Sequence, residues 1–394
     1  MSKIAVIGSG TAGCFASLRS LRLTNSEIDW YYDSKIPTAP VGEGTTMTPL
    51  DALRKLDDWT WREVEEIGGT CKQGISKKNW GKSGKRFLHS FPAGGVGMHF
   101  DAGRFQNFMF DRLSKDKRVV TIDANLKNPE ELDADYIIDC SGNHWRDNEP
   151  DVKVTDIPVN RALVVQCDPS TFRESYTMSD AMPYGWCFVI PLRERIAVGY
   201  VHSKDFGDIE ERKVELEDYI RELNLHPISE TRTIDFDNYY RTKNFGRVSY
   251  LGNSSAFLEP LEATATTTLM NGLQSQRHVM SGNYIEEFAN VSYVKEIENV
   301  ISMICLHYLS GSVYDTPFWK HAQYLALKRY SSIDFLKSEC YPLIQSALYG
   351  DLHNTDIAGT WSTHSYMQNI EGLGLKQRLQ EIFQTSGIMA SFGD

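Results

Sequence analysis

Three stretches of this chain carry residues whose types and spacing could do chemistry. Gly8, Gly10 and Gly13 form G-x-G-x-x-G in GSGTAG, and Asp33 lies twenty residues beyond the last of them. That spacing serves a tight turn, close backbone approach to a pyrophosphate and close packing of helix on strand, while the helix N-terminus stabilises the anion and the acid accepts from a ribose hydroxyl. The second stretch, CKQGISKKNW (71–80), holds three lysines in an acidic chain. Lys72 lies just ahead of Gly74, which lets the backbone turn; Lys77 and Lys78 are expected as solvated surface charges. The third, FLEPLEATATTT (257–268), places Glu259 and Glu262 in an apolar, hydroxyl-rich setting. Glu259 is expected to be solvated or to cap backbone donors. Glu262 precedes a helix start, so either it does the same or it stands beside an anion site made by the N–H groups of Thr264 and Ala265. A buried carboxylate close to a lysine shifts both titrations, and such pairs cluster at active sites.

The flanking residues predict the elements that must position these groups. KIAVIG reads as a strand, SGTAGCFASLRSLR as a helix and EIDWYYDS as a second strand, together a right-handed βαβ unit. VVTIDA and ADYIIDCSG read as further strands, the latter ending in small residues where an open parallel sheet presents its ligand crevice. RALVVQCD, WCFVIPL and RIAVGYVHS predict an antiparallel sheet with one solvated face. RVSYLGNSSAF reads as a return to the nucleotide-binding part, and beyond Leu269 the chain is expected to be helical, with YVKEIENVISMICLHYLS amphipathic. The organisation expected is 1–80 and 81–150 for the nucleotide-binding part, the second with a helical insert, then 151–245 for a substrate-side sheet. Residues 246–285 return with the catalytic loop, and 286–394 form a helical cover. An antiparallel region interrupting a nucleotide fold suits two-domain flavoproteins, so the dinucleotide is expected to be FAD and not NAD.

Composition sets bounds. The 394 residues carry a formal net charge of −11, so no basic face is available for nucleic acid. Seven scattered cysteines without CxxC spacing predict free thiols and no structural metal. With no run of eighteen apolar residues and no basic, apolar leader ahead of KIAVIGSG, a soluble cytoplasmic protein without membrane contact is expected.

Taken in order, GSGTAG, VGEGTTMTP, the lysine of CKQGI ahead of NW, HFDAGRF, IIDCSG, GWCFVIPLRERIAVGYVHS, LGNSSAFLEPLEAT and HYLSGSVYDTPFW resemble the blocks of flavin-dependent halogenases of the tryptophan-halogenase type, over residues 3–320. The resemblance implies an α/β, Rossmann-like FAD-binding fold (GR2/PHBH type) with an interleaved antiparallel substrate region and a C-terminal helical region. It also implies an enzyme supplied with FADH2 by a separate NAD(P)H-dependent reductase. Reduced flavin and O2 would give a C4a-hydroperoxide, and a halide attacking its distal oxygen would give hypohalous acid. A lysine would then position or trap this species for delivery to a small indole or phenol. By motif, Lys72 is that lysine, Glu262 the assisting carboxylate, and the N–H groups of Thr264 and Ala265 the halide site. The same carry-over gives FAD contacts to Gly8, Gly10, Thr11, Ala12, Gly13, Asp33, Ile36, Ala39, Glu43, Gly44, Thr45, Asn253 and Thr266, and it makes homo-oligomers an expectation.

Departures from the family pattern fall at the site. Of W-x-W-x-I-P the chain keeps Trp186 and Ile190-Pro191 but has Phe188 for the second tryptophan. Trp186 and Phe188 are expected either to wall the flavin site or simply to fill a core strand. Ala263 follows the catalytic glutamate where serine is usual, and Ala265 stands for a glycine. The chain is also shorter than the family's members, which predicts a substrate site that is more open or differently roofed. Two other readings share the cofactor fold: an aromatic hydroxylase, which would need no lysine–glutamate pair, and a flavin-binding protein without turnover. His99 and Asp101 are expected to support the helix that follows, Asp101 as its N-cap, and His307 and Tyr308 to be satisfied core residues.

Overall fold

The computed structural model of the chain describes residues 2–36, 42–92, 94–126, 128–143, 149–169, 174–350, 357–358 and 360–391. A five-stranded, all-parallel sheet forms the first layer, in the order Val248–Tyr250, Tyr136–Asp139, Lys3–Ile7, Glu27–Tyr32, Val119–Asp123. The inner strands Lys3–Ile7 and Tyr136–Asp139 are near-continuous apolar runs because both of their faces are covered. The helix Thr11–Leu23 packs on one face and buries Cys14, Phe15, Leu18 and Leu21. All five strands run the same way, so Gly8, Asp33, Ser141 and Gly252 emerge at one edge, the carboxyl ends where ligands of open α/β sheets bind.

A seven-stranded sheet makes the second layer, ordered Arg232–Asp235, Arg161–Cys167, Ile196–His202, Gly185–Pro191, Thr177–Met182, Gly74–Lys78, Phe87–Ser90. It is mixed, not antiparallel throughout: Thr177–Met182 pairs in parallel with Gly74–Lys78, and the sequence pattern predicts neither segment as a strand. The expected solvated face is corrected. Cys187, Val189, Val198 and Tyr200 pack against Leu216 and Tyr219 of the helix Ile209–Glu222, while Trp186, Phe188 and Ala197 face the core shared with the C-terminal helices. Both faces being apolar, the sheet's central strands are wholly buried. The helix Glu286–Ser310 is likewise amphipathic only in its first half; from 299 to 310 every residue is buried.

A small sheet, Gly42–Gly44, Gly97–Asp101, Thr70–Lys72, joins the two layers. Between Lys72 and Lys77 the chain passes from it into the seven-stranded sheet. Gly74 makes the crossing possible, since a Cβ there would stand 2.3 Å from the His89 carbonyl oxygen. All seven cysteines are free thiols. Among the described residues no helix is long and apolar enough to cross a membrane.

Candidate active site

At the carboxyl edge of the parallel sheet, Gly8 adopts φ +102°, open to glycine and strained for other residues. A Cβ on Gly13 would fall 1.8 Å from the Gly8 carbonyl oxygen, so helix and turn touch only because both residues are glycine. Gly10, the N-cap of Thr11–Leu23, has nothing nearer than 3.9 Å to an added Cβ. The helix's first N–H groups have no intrahelical acceptor. This is a cradle of the shape and polarity a pyrophosphate needs, and the residues fit FAD on that ground. Thr11 donates to the Glu43 carboxylate at 2.9 Å, and loss of water pushes Glu43 up to about 7. Asp33 already accepts from the Lys35 N–H and from Asn125 Nδ2, at 2.9 and 2.7 Å. Ile36 is half exposed, and Asn253 is exposed with its carbonyl bonded by the Tyr239 hydroxyl. Ala39 lies outside the described residues.

Lys72, the last residue of its strand, is wholly buried, and its Nζ has no hydrogen-bond partner. It packs against Gly44, where an added Cβ would come within 3.2 Å of Nζ, and lies 5.9 Å from the centre of the Phe91 ring. His99 stands nearby, bridging the hydroxyls of Thr70 and Thr177 at 3.1 and 3.0 Å. Desolvation drives the Lys72 amine down to about 7; Glu262 pulls the other way and the Lys77 charge adds to the fall.

Glu262 does not bond Lys72. Its Oε1 accepts from Lys77 Nζ and lies 3.1 Å from His307 Nε2, and Oε2 accepts from His89 Nδ1 at 3.0 Å. Lys77 Nζ also reaches His307 Nε2 at 2.6 Å and Asn369 Oδ1 at 2.7 Å. The expectation for Lys77 is therefore corrected: it is wholly buried, whereas its neighbour Lys78 is exposed. In a strand, Ile75 and Lys77 share a face, and Ile75 is core. That alternation was the available signal; nothing in the spacing pointed to His89, His307 or Asn369. Burial opposes the Glu262 charge, but Lys77 and His89 outweigh it and hold the carboxyl well below the ordinary range. His307 is the satisfied core residue expected, its Nδ1 bonded to the Met303 carbonyl. Asp101 caps the helix Ala102–Leu113 through the Arg104 N–H.

Glu259 is also corrected, being neither solvated nor a cap. It is fully buried, and Oε2 accepts from Trp186 Nε1 at 2.8 Å and from the Tyr308 hydroxyl at 3.0 Å. Burial lifts its carboxyl to about 8 despite those two bonds. Trp186 is thus tied by its indole N–H to the same loop that carries Glu262, and Phe188 lies 6.2 Å from it, ring to ring. Beyond Glu262, Ala263 takes φ +53°, and the sixteen-residue helix Ala265–Met280 starts with Thr264 as N-cap. The Thr266 hydroxyl is buried without a partner. Thr46 and Thr267 are bonded through their hydroxyls at 2.5 Å, which pins the 42–49 stretch to this helix start. A surface cavity of about 670 Å³ lined by Asp151, Arg241, Lys243 and Tyr250 includes none of these groups.

A family model described as tryptophan halogenase matches residues 3–124 and 112–386. Tryptophan 7-halogenase RebH of Lentzea aerocolonigenes is 24% identical over 491 aligned positions, which take in 95% of this chain and 90% of that protein. Since this chain has 394 residues, its shorter length is taken up by gaps within the matched span. BrvH, a flavin-dependent halogenase from Brevundimonas sp. BAL3, has the same fold with a TM-score of 0.79 at 19% identity, over 99% of this chain and 97% of that one. The tryptophan 6-halogenase SttH from Streptomyces toxytricini gives 0.77 at 18%, over 99% and 97%.

Proposed function

Because the chain belongs to the tryptophan halogenase family of enzymes, we propose that it oxidises halide to hypohalous acid with FADH2 and O2 and uses Lys72 to carry the halogen to an electron-rich indole or phenol. The observation that supports this most is the Lys72 amine, buried and without a hydrogen-bond partner. A buried lysine kept unpaired is a cost that structure alone does not call for, and an amine driven to about 7 is largely neutral above that pH. Its lone pair takes halogen from hypohalous acid, R–NH2 + HOX giving R–NHX + H2O. Transfer to an arene returns the amine: R–NHX + ArH gives R–NH2 + ArX.

The other residues prepare that exchange. Gly8, Gly10 and Gly13 with the first turn of Thr11–Leu23 hold the FAD pyrophosphate, and Asp33 meets the ribose. Ile36, Glu43, Gly44, Thr45, Asn253 and Thr266 line the remainder of the cofactor's path. When bound as FADH2, the flavin supplies with O2 the oxidising equivalent. The N–H groups of Thr264 and Ala265, at a helix start, hold halide by hydrogen bonds and helix dipole. Glu262, ionised in a dry site, stabilises cationic character that develops on the halogenated amine or the arene. Trp186 and Phe188 separate the cofactor side from Lys72. Hypohalous acid is small and indiscriminate, so selectivity requires that it be made in one place and used in another with the acceptor oriented.

The test supplies FAD, a flavin reductase, NADH, O2 and chloride, bromide or iodide, with a panel of indoles and phenols, and reads product mass. Halide-dependent mass shifts are expected. Oxygen gain without halide would replace this reading with an aromatic hydroxylase.

A further inference from the structure

We propose that Lys77 is a positioning residue: together with His89 and His307 it holds the Glu262 carboxylate, and so leaves the Lys72 amine unpaired and free to carry halogen. The inference rests on the halogen-carrying role of Lys72 given above and adds a second lysine that sets that amine's state.

The geometry of Lys77 is that of a complete ammonium. A lysine ammonium has three N–H bonds, and Nζ finds three acceptors: Glu262 Oε1, His307 Nε2 and Asn369 Oδ1. Each acceptor is fixed from elsewhere. His307 Nδ1 is bonded to the Met303 carbonyl, and with its proton there Nε2 accepts from Lys77; the same Nε2 lies 3.1 Å from Glu262 Oε1, so lysine, imidazole and carboxylate form one cluster. Asn369 Nδ2 donates to the Ser365 carbonyl at 3.0 Å, which turns Oδ1 toward Lys77. Glu262 is held at its other oxygen by His89. The three come from two C-terminal helices, Glu286–Ser310 and Thr363–Gly372, and from the loop before Ala265–Met280, so the lysine sits where four segments converge.

Lys72 has the opposite surroundings. The charged or titratable groups that bear on it are Glu262, Lys77, His89 and His99, and none is a hydrogen-bond partner of its Nζ. If Glu262 were free, it would be the one anion able to draw a proton onto Lys72. With Lys77 bound to it, the carboxylate stays ionised but its pull on Lys72 is partly offset by the second ammonium. Two lysines five residues apart thus divide the labour: Lys77 holds the acid, and Lys72 stays an amine.

The test is a titration of the cofactor-free protein carrying ¹³Cε-lysine, with the Lys72 resonance assigned by its loss in Lys72→Gln. In the wild-type protein the expected Lys72 midpoint is about 7. Lys77→Met leaves Glu262 with His89 and His307 but without its lysine counter-charge, and the Lys72 midpoint rises by about one unit or more, at least a tenfold shift toward ammonium. Glu262→Gln removes the anion and leaves the Lys77 charge, so the midpoint moves down; this arm decides the matter where Lys77→Met does not fold. A Lys72 midpoint that stays put or falls in Lys77→Met, or stays put or rises in Glu262→Gln, overturns the proposal. Failure of the halogenase reading shows elsewhere, as absence of halogenated product from the wild-type enzyme, so the two are told apart.

Discussion

Replacing Lys72 by methionine should make the cofactor-free protein more stable while ending halogen delivery. The amine titrates near 7 when folded and at about 10.4 in an unfolded chain. Between those values the unfolded chain binds a proton that the folded one does not, so the lysine weakens the fold. The penalty is complete below pH 7 and fades as pH rises through 10. At about 1.36 kcal/mol per unit it amounts to roughly 4 kcal/mol at pH 7 and under about 1 kcal/mol at pH 10. Methionine keeps most of the side chain's volume and removes the amine, so a gain of about 2–4 kcal/mol is expected at pH 7, shrinking at pH 10. Urea unfolding followed by the fluorescence of the eight tryptophans measures it. A variant less stable than wild type at pH 7, or one whose gain is the same at both pH values, would show that Lys72 is not a buried, unpaired amine.

Other consequences follow from the same site. Glu262→Gln and Lys77→Met should each cost about 3–5 kcal/mol, because each strands a buried charge, while the double variant costs no more than either; additive losses in the unfolding cycle would rule out the pair. Glu259 is raised to about 8, so it weakens the fold progressively from about pH 4.5 to 8, and Glu259→Gln should add roughly 4 kcal/mol at pH 8 and almost nothing at pH 4. Gly13→Ala drives a methyl into the Gly8 carbonyl and should weaken FAD binding by more than about tenfold, read by flavin fluorescence; unchanged affinity would refute the cradle.

The parallel sheet was legible because its signals are local: KIAVIG ends in a glycine where the chain must turn, and ADYIIDCSG runs apolar to its carboxyl end. Three of the second sheet's seven strands, Arg161–Cys167, Gly185–Pro191 and Ile196–His202, were legible too, but the other four and the sheet's burial were not. Whether a sheet face meets water depends on the helix Ile209–Glu222 and on the C-terminal helices, which alternation within a strand does not report. Lys72 and Glu262 could be named from motif, and both are buried. The partner of Glu262 could not, because Lys77, His307 and Asn369 meet only when residues more than two hundred positions apart are brought together. Charge type misled in the same way at Lys77 and Glu259: a lone charged residue reads as solvated until the groups that pair with it in the interior are known.

The central claim is that Lys72 hands halogen to the substrate. The most direct measurement compares wild type and Lys72→Met in the presence of FADH2, O2 and halide, reading halogenated substrate by mass spectrometry and freely released hypohalite by a diketone trap in parallel. The account predicts that trapped hypohalite persists in the variant while substrate halogenation falls by about a hundredfold or more. Halogenation of the substrate at the wild-type rate in Lys72→Met would contradict it.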